Sequence, residues 1–159
     1  MNVEYRRMLL PDTPAVHGIE ERTFAVPWTL RDFEYEAESP CARYLVAVQN
    51  GQVIGYAGMR FVMEEGDITN VAVDPDFRGM GVGRGLVSAL MQYAANLGVT
   101  ALTLEVRKSN SVAQHVYQKL GFERYGVRKG YYEDNGEDAW LMVCTEMPKP
   151  DPDFAEDRP

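Results

Sequence analysis

The chain has 159 residues, a formal net charge of −8 at pH 7, 45% hydrophobic and 25% charged residues. This length favours one domain with a single core, and the excess of acid argues against a general binder of DNA or RNA, whose affinity comes from Lys and Arg on phosphates. No apolar run approaches the roughly 20 residues of a membrane span. Two cysteines without a CxxC motif and two histidines without ligand spacing predict a cytoplasmic protein with no metal site and no membrane association.

The first half of the chain predicts a strand, two short helices and an antiparallel meander. Thr29 is a suitable N-cap for the second helix, and Asn50-Gly51 predicts a tight hairpin turn. The predicted segments are a strand over 3–8, helices over 14–24 and 29–37, and strands over 42–49 and 53–63.

The second half alternates strands and helices and then ends in a tail. Gly98 is a typical helix end, and Ser111 with Gln114 forms a capping-box pattern. The predicted segments are a turn over 65–67, a strand over 68–73, a helix over 82–97, a strand over 101–106, a helix over 111–121, and strands over 122–127 and 139–147. This order predicts an α/β fold with a mixed, mostly antiparallel sheet flanked by helices. We expect one domain over 1–147 and an acidic, proline-rich, disordered tail over 148–159.

A glycine cluster follows the strand that ends at Val73, where the helix from Val82 must begin. Glycine lets backbone N–H groups turn towards one point, and a helix N-terminus adds free donors and partial positive charge. Arg78 and Arg84 add charge to the same region. The pattern predicts a cradle for a pyrophosphate.

Two common phosphate-binding motifs do not match this cluster. A Walker loop ends in Gly-Lys-Ser/Thr, where this chain has Gly83-Arg84-Gly85. A dinucleotide-binding fold places its glycines after the first strand of an alternating parallel unit, whereas a meander precedes them here. A flexible turn without a ligand is the remaining alternative.

The segment Arg78-Gly79-Met80-Gly81-Val82-Gly83 resembles the R/Q-x-x-G-x-G/A motif of the GNAT acetyltransferases. The resemblance implies that acetyl-CoA is the co-substrate and that its pyrophosphate lies at this loop. It also implies a bulge in the preceding strand, N–H groups of Val71 and Val73 that face the pantetheine and thioester, and a neighbouring strand, ending at Val106, that splays away. The implied acetyl-CoA-binding residues are Val71, Ala72, Val73, Arg78, Gly79, Met80, Gly81, Val82, Gly83, Arg84 and Asn110.

Further segments resemble the RimI-like subfamily, which acetylates protein N-termini. They are Phe24-Ala25-Val26-Pro27-Trp28-Thr29, the segment Leu104 to Asn110 (LEVRKSN), the segment Tyr117 to Phe122 (YQKLGF), Arg128 to Tyr132 (RKGYY) and Glu137-Asp138-Ala139. Together they extend the resemblance from about Tyr5 to Met147.

Glu105 is the candidate general base. It shares one strand face with Thr103 and Arg107, whereas Leu102, Leu104 and Val106 face the other way. An attacking amine must lose a proton, and a glutamate near the sheet centre can accept it. The alternative is an ion pair with Arg107. The resemblance favours the base, which in RimI-like enzymes acts through water.

Tyr117 is the candidate general acid that protonates the leaving sulfur, a role implied by the resemblance. The alternative is a core tyrosine, because Val116 and Leu120 indicate that its helix packs. Asn110 is either a helix cap, a polar contact to the pantetheine arm, or both.

The substrate wall is expected from two loops. The first contains Pro27 and Trp28, and the second contains Tyr131, Tyr132 and Asp138. For the second loop, an ordinary exposed hairpin rim is the alternative.

Three functions remain open from the sequence. The first is acetylation of the α-amine of a basic, ribosomal protein N-terminus by a monomer or homodimer, which the resemblance favours. The second is acetylation of lysine side chains or a small amine, and the third is a non-enzymatic acetyl-CoA-binding module. The presence of both Glu105 and Tyr117 argues against the third.

Overall fold

A computed structural model describes residues 2–154 and contains a seven-stranded mixed sheet with helices on both faces. The strands, in chain order, are β1 (Glu4–Arg7), β2 (Ala42–Gln49), β3 (Gln52–Val62), β4 (Glu65–Val73), β5 (Ala101–Arg107), β6 (Glu123–Arg128) and β7 (Ala139–Cys144). The helices are α1 (Thr13–Thr23), α2 (Leu30–Glu38), α3 (Val82–Asn96) and α4 (Ser111–Lys119), and two 3-10 turns span Leu10–Asp12 and Pro75–Phe77. The spatial order of the strands is β1-β2-β3-β4-β5-β7-β6. All neighbours are antiparallel except β4 and β5, which confirms the predicted mixed, mostly antiparallel fold.

Each face of the sheet has its own apolar core. Helices α3 and α4 cover the larger one, in which Leu86 and Leu90 of α3 pack near Leu104 of β5. Helices α1 and α2 cover the smaller, more aromatic one, which includes Phe33, Tyr44 and Tyr56. Burial of these side chains is the main free energy that holds the helices on the sheet.

The two hairpins differ in how well the sequence predicted them. Asn50 and Gly51 have φ of 49° and 75°, which confirms the predicted tight turn between β2 and β3. The turn predicted over 65–67 is wrong, because β4 already begins at Glu65, opposite Val62. The chain reverses instead at Met63-Glu64, with Met63 at φ 54°.

The sequence predicted the start of α2 correctly and the start of α4 only in part. Thr29 caps α2, since its side chain accepts from the N–H of Asp32. The capping box predicted at Ser111 is wrong, whereas the cap role predicted for Asn110 is confirmed, because Asn110 is the N-cap of α4 and accepts from the N–H of Ala113 at 3.1 Å. Gln114 instead donates to the carbonyls of Arg107 and Lys108 at 3.0 and 2.8 Å. The helix start is therefore tied to the end of β5.

The tail predicted to be disordered contacts α3 over its first part. Asn96 exchanges two hydrogen bonds with the backbone of Asp151, at 2.9 and 3.1 Å. The Phe154 ring packs edge-on against Tyr93, with centroids 4.7 Å apart. Polar groups and an aromatic side chain of α3 thus contact residues 149–154, and the disorder predicted for 148–159 stays a prediction. Residues 155–159 lie outside the described residues, and the boundary at Met147 stays a prediction.

Candidate functional site

A gap opens in the middle of the sheet, between β4 and β5. The two parallel strands pair from Glu65/Ala101 to Ile68/Leu104, and the pairing then ends. Strand β4 continues to Val73 and β5 to Arg107, so their carboxyl-terminal halves diverge. The splay implied for the strand through Val106 is therefore confirmed.

A bulge at Thr69 reverses the faces of β4. Gly58 of β3 pairs with Asn70 and Met59 pairs with Ile68, so that Thr69 has no partner. Ile68 therefore faces the α3 side, whereas Ala72 packs in the core under α1 and α2. The implied bulge lies directly before the expected stretch 70–73, because the extra residue is Thr69.

Beyond the bulge, two N–H groups of β4 point into the gap. The N–H of Asp74 donates to the carbonyl of Ile54 on β3 at 2.8 Å. Because successive N–H groups of a strand point to opposite edges, those of Val71 and Val73 point away from β3. They face the edge at which β5 has separated.

The glycine loop ends at the amino end of α3, beside the carboxyl end of β4. Gly79 and Gly81 have φ of 77° and 81°, and a Cβ at either position would meet no atom within 4 Å. Gly81 is the N-cap of α3, and the N–H of Gly85 donates to its carbonyl at 3.0 Å. The N–H groups of Val82, Gly83 and Arg84 precede this first helical hydrogen bond, and such groups have no partner within the helix.

Side chains around this loop are mostly solvent-accessible. Arg78 donates from Nε to the carbonyl of Val73 at 3.1 Å, so its guanidinium lies at the gap end of β4. Arg84 and Met80 are exposed on the first turn and loop. The loop thus presents N–H donors and two cations to solvent, which is a suitable surface for an anionic ligand.

Glu105 lies on β5, directly beyond its last pair with β4. Its side chain is 28% exposed, and Oε1 lies 3.8 Å from Nη1 of Arg128. Burial and the Asp67 carboxylate raise the pKa of Glu105, whereas Arg128 and a hydrogen bond from Tyr131 lower it by less. Arg107, the alternative partner expected from sequence, pairs with Asp134 and Glu137 instead. The ion pair with Arg107 is therefore wrong.

Asp67 is a residue of this site that sequence reasoning missed. It pairs across the sheet with Thr103, whose hydroxyl donates to its carboxylate at 2.8 Å. This places Asp67 on the same face as Glu105. Only the register of the parallel pair brings the two carboxylates near each other, and no local sequence signal reveals that register.

Tyr117 is buried in the larger core, where its ring packs against Phe122 with centroids 5.8 Å apart. Burial and the neighbouring Tyr132 phenol raise the pKa of Tyr117 to about 12. Leu104 and Val106 belong to the same core, so Tyr117 and Glu105 lie on opposite faces of β5. Tyr117 therefore packs as a core residue, and its link to the site is the influence of the Tyr132 phenol on its pKa.

The β6–β7 loop brings two tyrosines to the gap. The rings of Tyr131 and Tyr132 are 5.1 Å apart. The phenol of Tyr132 influences the pKa of Tyr117, and Glu105 influences that of Tyr132. Asp138 accepts from the N–H of Gly130 at 2.9 Å, so its carboxylate closes the base of the loop.

The α1–α2 loop is anchored by Trp28. Its indole packs against Phe33 and Tyr44, with centroids at 5.5 and 6.3 Å. The backbone N–H of Trp28 donates to buried Glu20 at 2.9 Å, and Glu20 also accepts from Tyr56. Pro27 is half-buried beside it, so this part of the predicted wall is fixed to the smaller core.

A cleft, a metal site and a membrane-spanning helix are three further features to consider in residues 2–154. A cleft of about 580 Å³ beside α1 is lined by Arg22, Gln52 and Asp74, among others, and by none of the predicted site residues. Within residues 2–154, no three metal-ligating side chains converge. In the same range, no helix is both long and apolar enough to cross a bilayer.

Comparison with known proteins gives one family match. Residues 13–122 match the Acetyltransferase (GNAT) family. This segment contains the β4–β5 gap, the glycine loop, Glu105 and Tyr117.

Relatives and solved structures give a narrower likeness. The chain is 42% identical over 141 residues to the putative ribosomal protein bS18-alanine N-acetyltransferase of Bacillus subtilis (strain 168), covering 88% of this chain and 93% of the relative. It is 39% identical over 136 residues to the ribosomal protein bS18-alanine N-acetyltransferase of Escherichia coli (strain K12), covering 83% and 90%. The crystal structure of the ribosomal-protein-S18-alanine N-acetyltransferase from Escherichia coli matches with a TM-score of 0.85 and 31% identity, covering 97% of this chain and all of that one.

Proposed function

This chain belongs to the GNAT family of acetyl-CoA-dependent N-acetyltransferases, and we propose that its acceptor is the N-terminal α-amine of a ribosomal protein. The proposal rests chiefly on similarity to two relatives named for that activity, over 88% and 83% of this chain. The similar solved structure covers 97% of the chain, which extends the likeness beyond the acetyl-CoA-binding segment. The same relatives are bacterial, and we place the reaction in the cytoplasm.

The glycine loop and the start of α3 are the proposed seat of the acetyl-CoA pyrophosphate. The residues present fit this ligand, because Gly79 and Gly81 leave open space at the loop and the first N–H groups of α3 lack helical partners. Arg78 and Arg84 supply positive charge, and Met80, Val82 and Gly83 complete the loop. The N–H groups of Val71 and Val73 would hold the pantetheine arm and thioester in the gap beside Ala72, and exposed Asn110 would contact the arm.

Glu105 is the proposed general base. A peptide α-amine has a pKa of about 8 and is mostly an ammonium at neutral pH. Glu105 is accessible at the gap and its pKa is raised, which makes the carboxylate a better proton acceptor. It would take one proton from the amine, through water, as the new C–N bond forms.

Tyr117 is the proposed donor to the leaving sulfur. Its pKa of about 12 keeps the phenol protonated at neutral pH. A thiol has an ordinary pKa of about 8.5, so the phenol stabilises the sulfur through a hydrogen bond as the C–S bond breaks. This assists departure of the CoA thiolate.

The two loops beside the gap are the proposed acceptor walls. Pro27 and Trp28 form one wall, and Tyr131, Tyr132 and Asp138 form the other. The carboxylates of Asp67 and Glu105 share one face of the sheet. A cationic N-terminus suits this field better than an anionic or acylated substrate.

A peptide-array assay tests the acceptor class. Free peptides starting with Ala, Ser or Met are compared with N-terminally blocked peptides that carry lysine, using acetyl-CoA as donor. We expect transfer to the free peptides, fastest for Ala, and none to the blocked ones. Transfer to blocked, lysine-bearing peptides at the same rate would indicate a lysine or general amine acetyltransferase.

A further inference from the structure

We infer that Arg107 is a positioning residue for the acceptor, which acts by fixing the β6–β7 loop and not through Glu105. This inference rests on the proposed acceptor function. Through this loop, Arg107 keeps Tyr132 in place beside the proposed catalytic residues Glu105 and Tyr117.

The guanidinium of Arg107 binds the loop at three side chains. Nη2 donates to Asp134 at 2.9 Å, and Nη1 donates to Glu137 at 3.2 Å and to Asn135 at 3.3 Å. The Arg107 side chain is only 32% exposed. Arg107 therefore ties the end of β5 to a loop that begins more than twenty residues later in the chain.

The same guanidinium stacks on Tyr132. Its central carbon lies 4.0 Å from the ring centroid, which is well within the range of a cation–π contact. Tyr132 is half-buried, and its phenol influences the pKa of Tyr117 and responds to Glu105. The position of this ring thus depends directly on Arg107.

The loop has its own internal contacts, which make it a single unit. The N–H of Tyr132 donates to the carbonyl of Glu137, and the N–H of Gly136 donates to that of Tyr132, at 3.1 and 2.7 Å. Glu137 also accepts from the N–H of Ser109 at 2.6 Å. Hydrogen bonds from Ser109, and then from Arg107 and Asn135, lower the pKa of Glu137 to about 2, so its carboxylate stays ionised. A shift of the guanidinium would therefore move the loop together with Tyr132.

Only arginine satisfies this geometry. A planar fork can reach three acceptors while its face covers an aromatic ring, whereas lysine presents one compact charge. Arg107 is not among the causes that shift the pKa of Glu105, which are burial first, then Asp67 on β4, Arg128 on β6 and, least, Tyr131 in the loop. Because Tyr131 contributes least among these causes, Arg107→Lys should disturb the loop and shift the ionisation of Glu105 only slightly.

The test is Arg107→Lys, with Arg124→Lys as matched control. Arg124 also stacks on an aromatic ring, Trp140 at 4.7 Å, but lies outside the proposed acceptor wall. We expect kcat/KM for a free-N-terminus peptide to fall about tenfold or more in R107K, because small misplacements of a substrate wall have large effects. The KM for acetyl-CoA and the acidic limb of the pH profile should match those of the wild type. R124K should match the wild type throughout.

Double variants separate positioning from general stability. Tyr132→Leu should cause a loss like that of R107K, and the combination should be no worse than either, because both remove one coupled contact. If R107K does not fold, Asp134→Asn with Glu137→Gln carries the same test from the other side of the clamp. The inference would be overturned if R107K had the same peptide kinetics as R124K. It would also be overturned if the losses caused by R107K and Tyr132→Leu were fully additive in the double variant. Lack of peptide acetylation by the wild type would instead contradict the proposed function.

Discussion

At the scale of single residues, Glu105 has the environment of a general base. Burial and Asp67 raise its pKa, and Arg128 is near enough to pair with it only weakly. Glu105→Gln should lower kcat by about 10²–10⁴-fold at neutral pH, which is the usual range for loss of a general base. Steady-state kinetics with a free-N-terminus peptide measure this loss, and CoA binding by calorimetry should stay unchanged.

The same substitution gives a stability test with a defined sign. A carboxyl group whose folded pKa is raised contributes stability that is present below its unfolded pKa and is lost as pH rises through the folded value. Glutamine removes this dependence, so E105Q should unfold at the same or a higher temperature than the wild type at pH 7. The acidic limb of the wild-type kcat/KM profile should disappear in E105Q. A small kinetic loss combined with clear destabilisation would show that Glu105 is structural.

Tyr117 can be tested without disturbing the core. Tyr117→Phe keeps the ring against Phe122 and removes only the hydroxyl. We expect normal folding and acetyl-CoA binding, with kcat lower by about 10²-fold, the lower end of the range for acid catalysis. Tyr93→Phe is the matched control, because Tyr93 is also a buried helical tyrosine that packs on a phenylalanine, Phe154. Equal kcat in the two variants would assign Tyr117 to the core alone.

Residue identities at this site were easier to predict than their partners. The alternation of β5 placed Glu105 opposite Leu104 and Val106, and the structure confirms that placement. The partner of Arg107 could not be read, because Asp134 and Glu137 reach it through a loop fold that depends on tertiary contacts. Asp67 was missed for a similar reason, since its neighbours are set by the strand register.

At the scale of elements, the amino end of α3 is the proposed anion site. Gly81→Asp should weaken CoA binding by about 100-fold or more, since like charges about 4 Å apart repel by about 4 kcal/mol near a protein surface. Gly98→Asp is the matched control, because Gly98 flanks the other end of α3, also has positive φ, and also has no atom within 4 Å of a Cβ. Both variants carry similar backbone strain. Calorimetry that shows equal CoA affinity in both would contradict the assignment of the loop.

Element positions were predictable where a local signal marks them. Thr29 and Asn50-Gly51 act locally, and both predictions were confirmed. For α4 the sequence offered two caps, Asn110 and the Ser111 capping box, since both residue types are good caps; the structure confirms Asn110, and Gln114 binds the carbonyls of Arg107 and Lys108. The bulge and splay came from the family resemblance, since no residue type marks Thr69 as the extra residue.

At the scale of the whole molecule, the charge of −8 favours cationic acceptors. The kcat/KM for a peptide starting Ala-Arg-Tyr should fall as ionic strength rises, because screening shortens the Debye length from about 10 Å at 0.1 M to about 3 Å at 1 M salt. A peptide starting Ala-Gln-Tyr should respond much less. Identical salt dependence of the two peptides would show that charge does not guide the acceptor.

The acceptor proposed for the whole molecule is an N-terminal α-amine. Its most direct test is one peptide that starts Ala-Arg-Tyr and also carries an internal lysine, incubated with acetyl-CoA and the wild-type protein. Fragment masses then locate the acetyl group. We expect a single acetyl group on the alanine nitrogen, and acetyl groups mainly on the lysine would contradict the proposed acceptor.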